Sequence, residues 1–116
     1  MNRAIFNSRA FKILNSLEIN IGVKGYDYIK EALNLITFEQ GLAGGVITLY
    51  ERIAAEFNTT QPRVERAIRH FVEVAFSQNS DIFKKIFGNV SQKPTNSHFL
   101  KALSEYIKYE SVGSSE

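Results

Sequence analysis

A chain of 116 residues can bury one hydrophobic core and is too short for two independent domains. A hydrophobic fraction of 44% and a charged fraction of 22% indicate a globular protein, and the absence of cysteine excludes disulfides and fits a reducing compartment. Because the sequence has no secretory signal and no apolar run of about 18 residues, we expect a cytoplasmic protein without membrane contact. Its formal charge of +2 does not by itself indicate a nucleic-acid partner.

Apolar residues recur at three- and four-residue spacing, and no segment alternates with period two, so the sequence predicts an all-α fold. The first helix is expected within residues 8–19, with Phe11, Leu14 and Leu17 on its apolar stripe and Gly22 at its exit. Five more helices are expected at 26–38, 46–57, 61–77, 81–87 and after Pro94. We therefore predict a single compact domain of about six helices.

The third and fourth predicted helices are separated by about three residues, which is the spacing of a helix-turn-helix within 46–77. Thr60 is the expected N-cap of the fourth helix, and Pro62 lies in its first turn. In this arrangement Ala54 allows the two helices to approach, Phe57 closes the turn from inside, and Val64 seats the second helix against the first. A plain helical hairpin is the alternative.

The fourth helix has one polar arc, which lies opposite Val64 and Ile68 at 100° per residue. An outward arc with three arginines suits a DNA major groove, where a guanidinium can donate two hydrogen bonds to guanine. A carboxylate in the arc either accepts from cytosine N4 or orders neighbouring arginines. A solvated charged face is the competing interpretation of the same arc, which consists of Arg63, Glu65, Arg66, Arg69, His70 and Glu73.

Two neighbouring stretches, Phe-Asn-Thr-Thr at 57–60 and Arg-Val-Glu-Arg-Ala-Ile-Arg-His at 63–70, resemble the C-terminal effector domain of the stage-zero sporulation protein A family. Further matches are Gly22, Lys-Gly-Tyr at 24–26, Glu-Val-Ala at 73–75, Phe-Gly at 87–88 and Lys-Pro-Thr-Asn-Ser at 93–97 followed by Phe99. The resemblance covers 22–110. Accordingly we expect an N-terminal segment with the first helix at 1–20, the effector domain at 21–110 and a flexible tail at 111–116.

The resemblance implies a sporulation regulator that reads double-stranded DNA at boxes related to TGTCGAA, often in tandem, with neighbouring copies in contact. It implies that base edges are read by Arg63, Glu65 and Arg66. It implies backbone contacts by Thr60, Gln61, Arg69, His70 and Lys93.

Three departures from the family limit this transfer. No receiver-domain pattern precedes the match in this sequence, so phosphorelay control is not implied. The stretch 77–85 differs from the surface through which the family contacts the RNA polymerase sigma factor, and that contact stays open. Gln61, Pro62 and Phe71 stand where relatives tend to carry other residues, so the preferred box could differ.

Enzymatic function is disfavoured, because no paired-carboxylate motif or activated nucleophile stands out. His70 and His98 are too isolated for a metal site, and the glycines at 41, 44 and 45 lack the setting of a phosphate loop. We expect no catalytic residue, no metal and no cofactor. The leading hypothesis is a sequence-specific transcriptional regulator, and the alternative is a protein-interaction module that pairs with a full-length sporulation regulator.

Overall fold

The computed structural model describes residues 1–20 and 24–110, and within these ranges the chain contains helices and no strand. The six α-helices are α1 (Arg3–Ser16), α2 (Gly25–Glu39), α3 (Val46–Glu56), α4 (Gln61–Gln78), α5 (Asp81–Phe87) and α6 (Asn96–Glu105). A π-helical turn, Tyr106–Glu110, extends α6. The predicted all-α class and the predicted number of helices are confirmed over this part of the chain.

The first helix differs from its prediction. It begins at Arg3 rather than near residue 8, because the Asn2 side chain caps it by accepting a hydrogen bond of 2.8 Å from the backbone N–H of Ile5. The expected inward position of Phe11 is wrong, since this side chain is 52% exposed. The buried stripe of α1 instead repeats every four residues, at Phe6, Ala10 and Leu14.

Two sequence expectations lie outside the described residues. These are the exit of the first helix at Gly22 and the tail at 111–116. The helix itself ends at Ser16, earlier than the predicted residue 19, and Leu17 is buried just beyond it.

Helix α2 lies at the centre of the fold, packed against α1, α3, α4 and α6, while α3 packs along α4. Its side chains Ile29, Ala32 and Leu33 are fully buried at this junction. A polar contact joins α2 to α6, where the Thr37 and Ser104 hydroxyls lie 2.7 Å apart. The radius of gyration of 13.4 Å is that of one compact domain of this length, as predicted.

An aromatic cluster holds α4, α5 and α6 together. The rings of Phe87 and Phe99 stack with centroids 5.3 Å apart, and Phe83 lies 4.7 Å from Phe87. From α4, Phe71 meets Phe99 edge-on at 6.1 Å. Buried aromatic pairs of this kind contribute about 0.5–1.5 kcal/mol beyond the area they bury. The cluster therefore anchors both ends of the connection between α5 and α6, which carries Lys93.

Candidate nucleic-acid interface

A tight turn joins α3 to α4. The backbone N–H of Thr59 donates to the Ala54 carbonyl at 2.9 Å, and Asn58 takes the left-handed conformation with φ of 54°. Asparagine adopts this conformation more readily than most residues. Ala54 and Val64 are buried where the two helices approach each other, as predicted. The predicted helix-turn-helix is therefore present in the fold.

Phe57 does not close this turn from inside as expected. Its side chain is 40% exposed, and its ring packs edge-on against Tyr28 of α2 at a centroid distance of 5.2 Å. Phe57 lies just past the end of α3 and bridges outward to α2. The fully buried side chains nearest to the turn are instead Ile53 of α3 and Val64 of α4.

Helix α4 begins at Gln61, with Thr60 as its N-cap in extended conformation. The Thr60 carbonyl accepts the first helical hydrogen bond from the Val64 N–H at 3.1 Å, while the Thr60 side chain makes no capping hydrogen bond. Proline is well tolerated in the first turn, since the N–H it lacks would have no helical partner there. The exposed Thr60 hydroxyl is thus left available beside the first turn of α4.

The arc of α4 opposite the core faces outward, as predicted. Val64, Ile68, Phe71, Val72 and Ala75 are buried, and they place the helix against α2 and α3. The opposite arc is exposed at Arg63, Arg66, Arg69, His70 and Glu73, and half-buried at Glu65.

The C-terminal part of this arc is internally paired. A terminal nitrogen of Arg69 lies 3.4 Å from both carboxylate oxygens of Glu65, one turn before it. Glu73 accepts a hydrogen bond of 2.7 Å from Lys93 Nζ and lies 3.9 Å from Nδ1 of His70. The hydrogen bond and charge of Lys93 lower the pKa of the Glu73 carboxyl. Arg69 and Lys93 therefore each have a carboxylate partner in the free protein.

The N-terminal part of the arc is different. Arg63 has no ion pair with any described residue, and Arg66 only donates to the Pro62 carbonyl of its own helix, at 3.4 Å. Both arginines line an open groove of about 320 Å³ together with Lys24, Tyr28, Thr59 and Ala67. Lys24 is not among the site residues that the sequence predicts. The signal was present in the Lys-Gly-Tyr stretch, where the glycine permits a close approach to α4.

A second groove, of about 370 Å³, lies on the other side of α4 and contains Glu65, Arg69 and Lys93. At its wall the Tyr50 hydroxyl of α3 accepts a hydrogen bond of 3.1 Å from the Asn96 side chain at the start of α6. Burial raises the pKa of Tyr50, so its hydroxyl stays neutral. The structure thus brings Lys93 beside Arg69 although the two come from different parts of the chain.

A helix with one face packed in the core, a tight turn and a second helix that presents an arginine-rich outward arc define a helix-turn-helix domain of the DNA-binding class. The family model described as "Sporulation initiation factor Spo0A C terminal" matches residues 10–107. The chain belongs to this family, whose members are sporulation-related DNA-binding effector domains of response regulators; it is not a family of enzymes. Among the described residues, none of the helices is long and apolar enough to cross a membrane.

Proposed function

We propose that the chain is a sequence-specific transcriptional regulator that reads a TGTCGAA-like box in double-stranded DNA with α4, acting in the cytoplasm where the chromosome lies. Base edges are contacted by Arg63, Glu65 and Arg66. Backbone phosphates are contacted by Thr60, Gln61, Arg69, His70 and Lys93.

The observation that carries this proposal is the state of Arg63 and Arg66. Both are exposed on the first turns of α4, and neither forms an ion pair with a described carboxylate. Recognition helices contact base edges mainly through their N-terminal residues, where the helix enters the major groove. An unpaired guanidinium at this position can donate two hydrogen bonds to guanine O6 and N7 without first breaking a salt bridge.

Glu65 lies between Arg63 and Arg66 in the sequence and one turn before Arg69. Its carboxylate repels phosphate, so its presence on a DNA-facing arc needs a compensating interaction. The contact with Arg69 at 3.4 Å supports one such role, in which Glu65 orients Arg69. A carboxylate oxygen of Glu65 can also accept a hydrogen bond from the N4 amino group of cytosine. Both roles contribute to specificity rather than to overall affinity.

The proposal is tested by comparing binding to a duplex carrying TGTCGAA with binding to a scrambled duplex at near-physiological salt. Arg66→Ala should reduce affinity for the box about tenfold to a hundredfold, since a bidentate contact contributes roughly 1–3 kcal/mol of discrimination. The matched control is Arg52→Ala on α3, whose guanidinium is paired with Glu39 at 2.8 Å. Unchanged preference of the Arg66 variant for the box would refute the assignment.

A second proposal is that copies of this chain, or a full-length relative, associate through the C-terminal face. The supporting observation is an open groove of about 520 Å³ between α5 and the end of the last helix, to which α4 contributes no lining residue. Tyr109 at its edge is 64% exposed, and Ile86 and Ala102 add apolar surface. Tyr109→Ala should remove cooperative binding to tandem boxes while retaining single-box affinity, whereas binding to a relative without DNA would indicate an antagonist.

A further inference from the structure

The first residues of α2 lie directly against the middle of α4. A Cβ atom on Gly25 would stand 2.5 Å from the Ala67 carbonyl oxygen, closer than non-bonded atoms approach. Only glycine therefore allows this contact without a shift of backbone. Since Ala67 follows Arg66 directly and lies one turn after Arg63, the contact brings the residue before Gly25 to the outward arc of α4.

That residue is Lys24, which is exposed and lines the 320 Å³ groove with Arg63 and Arg66. We call this feature the Lys24 groove; its remaining lining residues are Tyr28, Thr59 and Ala67. None of its described lining residues is a carboxylate, and Lys24 has no ion pair with any described residue. Three cations facing one space repel each other, and their mutual repulsion is relieved when an anion enters.

The two grooves beside α4 differ in whether a carboxylate lines them. The 370 Å³ groove contains Glu65 among its cations, so it is partly neutralised. In the Lys24 groove, by contrast, every polar side chain that lines it can donate: the three cations and the hydroxyls of Tyr28 and Thr59. A site that offers three positive charges and further hydrogen-bond donors, with no carboxylate among its described lining residues, has the chemistry of a phosphate contact.

We propose that the Lys24 groove holds a DNA backbone phosphate that flanks the box, with Lys24 as its charge donor. The inference rests on the proposed DNA-reading function and adds a contact from α2, outside the helix-turn-helix. The three cations of the groove are proposed to contact different parts of the DNA. The lysine ammonium can contact a phosphate as a compact point charge, and the guanidiniums of Arg63 and Arg66 contact base edges in the proposed function.

The experiment measures the salt dependence of binding by the full chain and by Lys24→Ala, on the box duplex and on the scrambled duplex. The plot of log K against log salt has a negative slope, and loss of one phosphate contact should make it shallower by about 0.9 on both duplexes. The defect of the variant should therefore be roughly 3.5-fold larger at 50 mM than at 200 mM salt. Preference for the box over the scrambled duplex should be retained, because a phosphate contact carries no sequence information.

Two further variants sharpen this test. Lys24→Arg keeps the charge and should retain most of the wild-type slope. Lys101→Ala removes an exposed lysine on α6 and should leave the slope unchanged. Circular dichroism melting of each variant separates loss of binding from loss of folding.

The outcomes distinguish this inference from the proposed function. If wild-type protein prefers the box and Lys24→Ala matches it in affinity and slope, the phosphate site is wrong and the DNA-reading function stands. If wild-type protein shows no preference for the box but Lys24→Ala still lowers the slope, the box assignment is wrong and the phosphate site is supported. Loss of box preference at an unchanged slope overturns the phosphate site, and absence of any DNA binding at 50 mM salt overturns both.

Discussion

Lys93 donates a hydrogen bond of 2.7 Å to Glu73 although the two are 20 residues apart in sequence. Glu73 lies on the outward arc of α4, and Lys93 lies on the connection between α5 and α6. In the free protein this contact neutralises a cation on the surface that we propose faces DNA. Before Lys93 can contact a phosphate, it must exchange one anionic partner for another.

Replacing Glu73 by glutamine should therefore strengthen DNA binding. The amide removes a negative charge from the outward arc and releases Lys93 to contact phosphate, so the salt slope should steepen by about 0.9 on both box and scrambled duplexes. The measurement is a salt titration of binding. Glu105→Gln on α6 is the control, since Glu105 is exposed and has no ion pair among the described residues. Equal affinities and slopes for wild type and Glu73→Gln would contradict the prediction and show that the charge of Glu73 does not oppose DNA binding.

The same contact predicts a pH effect. The folded protein holds the pKa of Glu73 below its ordinary value of 4.5, mainly through the hydrogen bond and charge of Lys93. A depressed folded pKa stabilises the fold at pH above the unfolded value, and this stabilisation is lost as pH falls through the folded pKa. Carboxyl NMR should show Glu73 titrating below 4.5 in wild type and moving up toward 4.5 in Lys93→Ala. An unmoved titration in that variant would contradict the assigned cause.

Gly25→Ala should destabilise the fold. The added methyl group would meet the Ala67 carbonyl oxygen at 2.5 Å, so α2 and α4 must separate locally. Overpacking of this kind costs about 1–3 kcal/mol, which exceeds the roughly 0.5–1 kcal/mol that alanine gains over glycine in a helix. Urea unfolding measures the difference. The neighbouring Lys24→Ala removes an exposed side chain and should stay within about 0.5 kcal/mol of wild type; equal stability of the two variants would disprove the close approach.

Substitutions on the two arcs of α4 should have different effects: those on the buried arc should lower stability, and those on the outward arc should weaken DNA binding. Ile68 is fully buried, so Ile68→Ala should lower the free energy of unfolding by about 2–5 kcal/mol. Arg66→Ala, on the outward arc, should change it by less than about 0.5 kcal/mol while weakening box binding. Thermal melts and binding assays on the two variants provide the comparison. A strongly destabilised Arg66 variant would mean that this side chain serves the fold.

Helix α4 could be predicted closely from the sequence because its local signals agree. Thr60, Pro62 and the stripe from Val64 to Ala75 mark its start and its buried face, and the predicted start at Gln61 is confirmed. The family motif at 57–70 spans the turn and the first part of the same helix, so the fold and the candidate site were predicted by mutually consistent signals. The DNA contacts of individual residues remain predictions.

The parts that escaped prediction depend on contacts distant in sequence or on competing local patterns. In α1, Phe11 lies three residues before Leu14, and this spacing competes with the correct stripe of four-residue spacing. The capping role of Asn2 gives no apolar signal. The pairing of Glu73 with Lys93 depends on the aromatic cluster that positions a connecting segment. Lys24 joins the outward arc only because Gly25 packs on Ala67, a contact between helices that periodicity does not reveal.

The hydrogen bond from Asn96 to Tyr50 ties the beginning of α6 to α3, and hence the segment that carries Lys93 to the helix-turn-helix. Together with the packing of Gly25 on Ala67, this bond holds the proposed DNA-contacting groups of three chain segments in one preorganised frame before DNA binds. Association then requires rearrangement of side chains and release of counterions, with little ordering of backbone. Binding should accordingly proceed close to rigid-body docking, with its rate governed by electrostatic steering rather than by coupled folding.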